Sequence, residues 1–283
     1  MNISFFNGNF LPHGEICISP DDRGFLFADG VYEVVRWYGK QFLDIESHAK
    51  RLKRSLGELR IDWHEADTFP SIAEELVRLN DLRGKQALVY LQVTRGAAIR
   101  THSFPSPPVT PTVYASASEK KISNKGKGPG INVMLTDDIR WNRCDIKSVA
   151  LLPNTIGFQE ALDNNMQECV FARNGIITEC SHSNIFFVIG DTLYTHPESN
   201  YILAGITRKS ILRIAGEIGI KVKEEAVRAD DLHRIHEAFI ASTSFEITPV
   251  TGIDGRKIGD GLPGPVTNLI TARFDANLLP LKG

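Results

Sequence analysis

An amine, a carboxylate and two hydroxyl-rich segments are the parts of this sequence that can do chemistry together. Lys147 is an isolated lysine in residues 137–148, a stretch with the character of a half-buried segment. Glu179 follows it, then the helix start at residues 205–207 and the strand end at residues 242–244. An amine to form a Schiff base, an acid to protonate a ring nitrogen and a cradle for a phosphate are what pyridoxal phosphate requires.

The order and wording of these segments resemble the fold-type IV pyridoxal-phosphate transaminases, and most of all the bacterial D-amino acid aminotransferases. The resemblance covers nearly the whole chain. It implies a two-domain α+β fold, with a small N-terminal α/β domain and a larger C-terminal domain built on a mixed sheet. The segments that carry it are D-G-V-Y-E-V-V at 29–35, V-T-R-G and R-T-H-S-F-P within 93–105, C-D-I-K-S at 144–148, T-E-C-S-H-S-N at 178–184 and S-T-S-F-E-I-T-P at 242–249.

The resemblance implies a role toward the cofactor for each matching residue. Lys147 matches the lysine that forms the Schiff base and then moves the proton of the substrate Cα. Glu179 matches the acid that keeps the pyridine nitrogen protonated, which makes the ring a better electron sink. A helix start with free N–H groups and a hydroxyl suits the phosphate. The other cofactor-binding residues implied are Arg51, Ser183, Ile206, Thr207 and Thr243.

Arg100 and His102 bear on the class of substrate. They stand at positions i and i+2, so in an extended loop their side chains point the same way. An arginine fork beside an imidazole suits a carboxylate. The pair resembles the α-carboxylate site of the D-amino acid enzymes, where a tyrosine matching Tyr32 faces the cofactor and the loop comes from the neighbouring subunit of a dimer. The resemblance therefore implies a homodimer with shared active sites.

The predicted function is a ping-pong transamination from a D-amino acid, such as D-alanine or D-glutamate, to a 2-oxo acid, such as 2-oxoglutarate or pyruvate. Three enzymes of the same fold remain as alternatives: a branched-chain L-amino acid transaminase, an (R)-amine transaminase and 4-amino-4-deoxychorismate lyase. The Arg100 and His102 pair disfavours all three. A silent ligand-binding relative is a further alternative, against which the intact Lys147 and Glu179 argue.

The chain departs from the family pattern at three positions. Cys180 stands where relatives have glycine, and His182 stands where they have the middle serine of the serine-rich turn. Phe158 stands where relatives often carry lysine. Neither Cys180 nor His182 removes the predicted acid, and Phe158 is an unexplained departure.

Composition indicates an ordinary globular protein and excludes several classes of partner. The 283 residues are 42% hydrophobic and 23% charged, with a net charge of −2. This balance predicts neither nucleic acid nor an anionic membrane as a partner. The opening residues lack the pattern of a signal peptide, and no apolar run approaches a membrane span. Four cysteines without metal or C-x-x-C spacing predict a reduced cytoplasmic protein with no bound metal.

Local patterns predict the elements that position these residues. An Asn-Gly turn at residues 7–8 predicts a hairpin, and a second hairpin is expected to pair residues 31–38 with 41–45. Helices are expected near residues 49–59, 72–79, 155–165, 206–218 and 266–277, and strands dominate the second half. The Gly- and Lys-rich residues 120–130 are the expected linker. The predicted domains are residues 1–119 and 131–283.

Overall fold

A computed structural model describes residues 2–120 and 128–281. The chain divides into two compact units. The first consists of Met1–Ile122, Ile146–Ala150 and Pro280–Gly283, and the second of Ser123–Asp145 and Leu151–Leu279. The predicted linker, 120–130, includes residues 121–127, which lie outside the described residues, so the domain boundaries stay a prediction.

The first unit is a five-stranded antiparallel sheet with helices beside it, in the strand order β2-β1-β5-β4-β3. Its elements are β1 (Ile3–Phe6), β2 (Asn9–Pro12), α1 (Arg23–Phe27), β3 (Gly30–Tyr38), α2 (Ile45–Leu59), α3 (Phe69–Leu79), β4 (Gln86–Thr94) and β5 (Thr112–Glu119).

Local sequence explains the main elements of this unit. Asn7 and Gly8 both have positive φ, at 45° and 88°, as a two-residue hairpin turn requires. Helix α2 buries Ala49, Leu52 and Leu56, whose spacing of three and four residues places them on one face. These apolar side chains join the buried residues of β3, β4 and β5 in one core.

The second unit is a nine-stranded mixed sheet. Its main path runs β11-β10-β9-β12-β13-β6-β7-β8, with β14 paired to β13. Its elements are β6 (Ile131–Asp137), α4 (Leu152–Asp163), β7 (Glu168–Arg173), β8 (Ile176–Cys180), β9 (Asn184–Ile189), β10 (Thr192–Thr195), α5 (Ile206–Glu217), β11 (Lys221–Glu224), β12 (Glu237–Ser242), β13 (Glu246–Ile253), β14 (Arg256–Lys257) and α6 (Pro265–Leu278).

Both parallel and antiparallel pairs occur in this second sheet. Strand β6 runs parallel to β7 and β13, and β10 runs parallel to β11, whereas the remaining pairs are antiparallel. The predicted α+β class with a mixed sheet in the second half is therefore confirmed. No helix in the described part of the chain is long and apolar enough to span a bilayer.

Residues 146–150 belong to the first unit although their neighbours on both sides belong to the second. Two backbone hydrogen bonds attach them to the start of β3. The N–H of Tyr32 donates to the carbonyl of Lys147 at 2.9 Å, and the N–H of Val149 donates to Gly30 at 3.0 Å. Between them, Val31 and Ser148 form an isolated antiparallel bridge. The backbone of Lys147 is thereby fixed beside that of Tyr32.

Candidate active site

Lys147 and Tyr32, two predicted site residues, lie in contact. Lys147 is half-buried, and its Nζ lies 4.2 Å from the centroid of the Tyr32 ring. The Lys147 N–H points to the Ser55 hydroxyl at 3.4 Å. Tyr90 lies next in line, with its ring 5.7 Å from that of Tyr32. One primary amine is thus held over an aromatic surface, which is a suitable setting for a reactive lysine.

Arg51 forms a buried ion pair with Glu33, on the strand that also carries Tyr32. Its Nε and Nη2 donate to the two Glu33 carboxylate oxygens at 2.7 and 2.9 Å, and His48 Nδ1 lies 2.8 Å from the same carboxylate. Burial alone would raise the pKa of Glu33, but the charge and hydrogen bonds of Arg51 outweigh burial and hold it well below its usual range. Burial lowers the pKa of His48, so the neutral ring donates to Glu33 through Nδ1–H.

The Glu33→Gln variant is expected to lose about 3–5 kcal/mol of unfolding free energy at pH 7, because one charge of a buried pair is removed while the other stays. The depressed pKa of Glu33 stabilises the fold above the ordinary glutamate value of about 4.3. That contribution disappears as pH falls toward the folded-state pKa. Acidification below about pH 4.3 should therefore weaken the native protein more than the variant. Denaturant unfolding at pH 7 and at about pH 3, which lies well below the ordinary glutamate pKa, measures both effects.

Glu75 offers a matched control, because it also pairs with an arginine, Arg78, but on the exposed surface of α3. Glu75→Gln is expected to leave stability at pH 7 close to that of the native protein, since exposed pairs contribute little. If Glu33→Gln unfolded as the Glu75→Gln control does, the buried pair would not be a stabilising element of the fold.

Arg100 and His102 lie against a common ring, that of Phe27. The guanidinium carbon of Arg100 is 5.1 Å from the Phe27 centroid, and the His102 ring centroid is 5.7 Å from it. Both residues are exposed. The structure therefore brings together the two side chains that the i, i+2 spacing predicted to point the same way.

Glu179 is buried at the end of β8 and accepts three hydrogen bonds. Arg140 Nη1 donates to its Oε1 at 2.6 Å, while Asn184 Nδ2 and the N–H of Leu203 each donate to its Oε2 at 3.0 Å. Burial raises the pKa of Glu179, against the lowering effect of Arg140. A carboxylate has about four acceptor positions, so these three donors leave one position for a further N–H.

Arg140 and Asp138 lie beside Glu179, although the sequence motifs did not indicate them. The Asp138 carboxylate accepts from Arg140 Nε at 2.9 Å and Nη2 at 3.0 Å, which orients the guanidinium whose Nη1 reaches Glu179. Burial works to raise the pKa of Asp138, but its hydrogen bonds with Arg140 dominate and the pKa is lowered. Their i, i+2 spacing was the available signal, although it did not show that the arginine reaches a glutamate 39 residues later.

Asn184 links Glu179 to the start of α5. Its Nδ2 donates to Glu179 and also to the carbonyl of Leu203 at 3.0 Å. A Cβ on Gly205 would overlap the Asn184 amide oxygen, so the close approach requires glycine there. Ile206 and Thr207 are the first two residues of α5, and both are buried. The first N–H groups of any helix have no intrahelical acceptor, so this helix start can bind an anion.

Glu168 gathers the side chains of the serine-rich turn after β8. It accepts from Ser181 Oγ at 2.5 Å, its other oxygen lies 3.0 Å from His182 Nδ1, and Ser183 Oγ donates to that oxygen at 3.5 Å. Thr243 lies half-buried in the turn between β12 and β13. The hydroxyl of the predicted cofactor residue Ser183 is therefore directed at an acid.

Phe158 of α4 and His182 of the serine-rich turn, two of the departures from the family pattern, contact each other. The Phe158 ring stands edge-on to the His182 ring, with centroids 5.0 Å apart. The ring of Phe245 lies on His182 at the same distance. The third departure, Cys180, is buried at the end of β8 and carries no free surface. Phe158 and His182 thus lie together in one aromatic cluster with Phe245.

The described structure brings some of the predicted residues into contact. It joins Lys147 to Tyr32 and Arg100 to His102, while Arg51 lies on Glu33. Within residues 2–120 and 128–281, no set of three histidine, cysteine, aspartate or glutamate side chains is arranged to hold a metal ion. The groups available for chemistry are an amine, a hydrogen-bonded acid, a helix start with free N–H groups, and an exposed arginine beside an imidazole.

The family of this chain follows from its similarity to known proteins. The family model described as amino-transferase class IV matches residues 30–253. The chain belongs to the class IV aminotransferases. This aminotransferase is 38% identical to the D-alanine aminotransferase of Staphylococcus haemolyticus over 272 residues, which is 96% of each chain. It is 39% identical to that of Bacillus licheniformis over 276 residues, covering 97% of this chain and 96% of the relative.

Solved structures agree with the family. The branched-chain amino acid aminotransferase of Escherichia coli superimposes with a TM-score of 0.91 at 25% identity, covering 100% of this chain and 96% of that one. A second branched-chain amino acid aminotransferase, from T.th. and solved with pyridoxamine 5'-phosphate, gives 0.88 at 26% identity, covering 100% and 94%. The predicted fold-type IV architecture, aminotransferase activity and pyridoxal phosphate cofactor are thus confirmed for this aminotransferase.

Proposed function

We propose that this aminotransferase moves the amino group of a D-amino acid, such as D-alanine or D-glutamate, to a 2-oxo acid, such as 2-oxoglutarate or pyruvate. The relatives at 38% and 39% identity bear the name D-alanine aminotransferase. The observation that carries the proposal is the Arg100 and His102 pair on Phe27. Among the described residues, no protein acceptor lies within hydrogen-bond distance of the Arg100 guanidinium, so its fork is available to a substrate carboxylate.

The donors and acceptors present fit pyridoxal phosphate. When bound, that cofactor withdraws electrons from the substrate Cα and so acidifies its proton. The one acceptor position left on Glu179 suits the N–H of a protonated pyridine.

Lys147 is the residue assigned to hold the cofactor aldehyde and to move protons. Its Nζ takes the proton from the substrate Cα and returns one in the second half of the cycle. The backbone that carries this side chain is held in place, because residues 146–150 are attached to β3. The face of Tyr32 limits where Nζ can move and keeps bulk water from one side of it.

The phosphate is assigned to the residues around the start of α5. Ile206 and Thr207 offer backbone N–H groups at the positive end of the helix, and Thr207 adds a hydroxyl. Ser183 and Thr243 are included by resemblance, with the difference that the Ser183 hydroxyl already donates to Glu168. Arg51 is included by resemblance, with the difference that Glu33 already takes two of its hydrogen bonds.

A homodimer with shared sites and a cytoplasmic location complete the proposal. Exposure of Arg100 and His102 in the single chain supports the first, because a pair that serves a neighbouring subunit must face outward. Four free cysteines support the second, since reduced thiols are usual in the cytoplasm.

A substrate panel tests the proposed function. D-Alanine, D-glutamate, L-leucine, L-isoleucine and an (R)-amine without a carboxylate are each offered with 2-oxoglutarate, and kcat/KM is measured. A D-amino acid is expected to give the highest value by at least about tenfold, a difference of one good contact in free energy. The solved structures named above are branched-chain enzymes. A preference for L-leucine or L-isoleucine would therefore replace the D-amino acid assignment with that activity.

A further inference from the structure

Arg23 and Phe27 lie on the inner side of the loop that carries Arg100 and His102. Arg23 is buried, with 3% of its surface exposed, and its Nη1 donates to the carbonyl of Thr101 at 2.8 Å. Thr101 is the residue between Arg100 and His102. One hydrogen bond therefore fixes the backbone at the middle of the pair.

The Phe27 ring is in contact with three side chains. The guanidinium of Arg23 lies 4.7 Å from its centroid, that of Arg100 5.1 Å, and the imidazole of His102 5.7 Å. A guanidinium stacked on a ring uses its face for that contact and keeps its N–H groups at the edge. Stacking on Phe27 thus orients the Arg100 fork without consuming a donor.

An ion-pair network holds this support in place. Arg23 Nε donates to Asp29 at 2.8 Å, and Arg95 Nε and Nη2 donate to the same carboxylate at 2.7 and 2.9 Å. The ring of Phe104 lies 3.6 Å from the guanidinium carbon of Arg95. The loop is therefore held by contacts at its start (Arg95), its middle (Thr101) and its end (Phe104).

We propose that Arg23 and Phe27 are positioning residues for the carboxylate-binding pair, a role that rests on the proposed function of Arg100 and His102. Arg23 sets the backbone at Thr101, and Phe27 sets the planes of both side chains before a substrate arrives. An arginine loses substantial rotamer freedom when it is immobilised on a ligand. A side chain ordered in advance loses less on binding, so a carboxylate binds more tightly.

The test compares Phe27→Leu, Phe27→Tyr and Arg23→Lys in the cofactor-loaded enzyme. Leucine keeps an apolar side chain but removes the ring face, whereas tyrosine keeps the ring and is the matched control. Phe27→Leu and Arg23→Lys are expected to raise KM for D-alanine about tenfold with kcat within about twofold. Phe27→Tyr is expected to stay near the native values. Thermal unfolding checks that each variant is folded.

Hydrogen exchange supplies a readout independent of activity. Without substrate, the amides of residues 97–104 are expected to exchange faster in Phe27→Leu and Arg23→Lys than in the native enzyme or Phe27→Tyr. Unchanged exchange in these residues, or a fall in kcat with KM unchanged, would overturn the positioning role.

Arg100→Ala separates this inference from the proposed function beneath it. If Arg100→Ala leaves KM for D-alanine unchanged, the carboxylate assignment itself fails. If Arg100→Ala raises that KM but Phe27→Leu and Arg23→Lys do not, only the positioning role fails. Phe27→Leu added to Arg100→Ala should raise KM by clearly less than it does in the native chain, because the fork that the ring orients is already absent.

Discussion

The Lys147→Ala variant is expected to lose transaminase turnover by about 10⁴-fold or more while keeping its fold. Covalent attachment of the cofactor and proton transfer at the substrate Cα disappear together, since both depend on Nζ. Residue 147 contacts Tyr32 of β3 through its carbonyl and Ser55 of α2 through its N–H, and alanine preserves both backbone contacts. Single-turnover and steady-state rates with D-alanine measure the loss, and thermal unfolding checks the fold.

Lys221→Ala is a suitable control, because Lys221 is an exposed lysine of β11 whose Nζ contacts only Asp191 among the described residues. It should keep native turnover. Borohydride reduction of the cofactor-loaded enzyme followed by peptide mapping identifies the attached lysine. A label on any lysine other than Lys147 would refute the assignment.

The Arg100→Ala variant is expected to lower kcat/KM for D-alanine or D-glutamate by about 100-fold or more. A charge-assisted bond to a carboxylate contributes about 1.5–3 kcal/mol, and a bidentate arginine makes two. An (R)-amine without a carboxylate should be affected far less, since it does not use the fork. His102→Ala should do less harm, because one imidazole nitrogen gives a carboxylate at most one hydrogen bond, whereas the arginine fork gives two.

Mixed dimers test whether Arg100 completes the active site of its own chain or that of the neighbouring subunit. Lys147→Ala chains and Arg100→Ala chains are combined under conditions of verified subunit exchange. If a dimer shares its sites, the mixture should turn over D-alanine faster than either variant alone. One site of each mixed dimer would then contain both an intact lysine and an intact arginine. Absence of any recovery would mean that each chain builds its own site.

The comparison of substrates in Arg100→Ala has its own contrary outcome. An equal loss of kcat/KM for D-alanine and for the (R)-amine would show that Arg100 does not bind the carboxylate.

Elements governed by neighbouring residues could be predicted from the sequence. The hairpin at Asn7 and Gly8 and the start of α5 at Ile206 follow from turn chemistry and apolar spacing, and both are confirmed. The second strand expected at residues 41–45 is wrong. Only one bridge joins Trp37 to Phe42, because Ile45 already begins α2.

The polar networks could not be predicted, because their members are far apart in the chain. Glu33 meets Arg51 across 18 residues, and Arg23 meets Thr101 across 78. Arginine and glutamate on a helix or strand most often lie on a solvated surface, so the residue types alone did not single them out. Only the folded chain shows which charges are buried and which partners hold them.

The attachment of residues 146–150 to β3 has a consequence for the speed of the reaction. With its own carbonyl held by Tyr32 and the next residues held by Val31 and Gly30, Lys147 has little backbone freedom. Its amine can travel only by rotation about the bonds of its own side chain. Such rotations take picoseconds to nanoseconds in accessible side chains, whereas loop movements take up to microseconds. In the role proposed for Lys147, a proton carried by Nζ would therefore move without any slow rearrangement of this backbone segment.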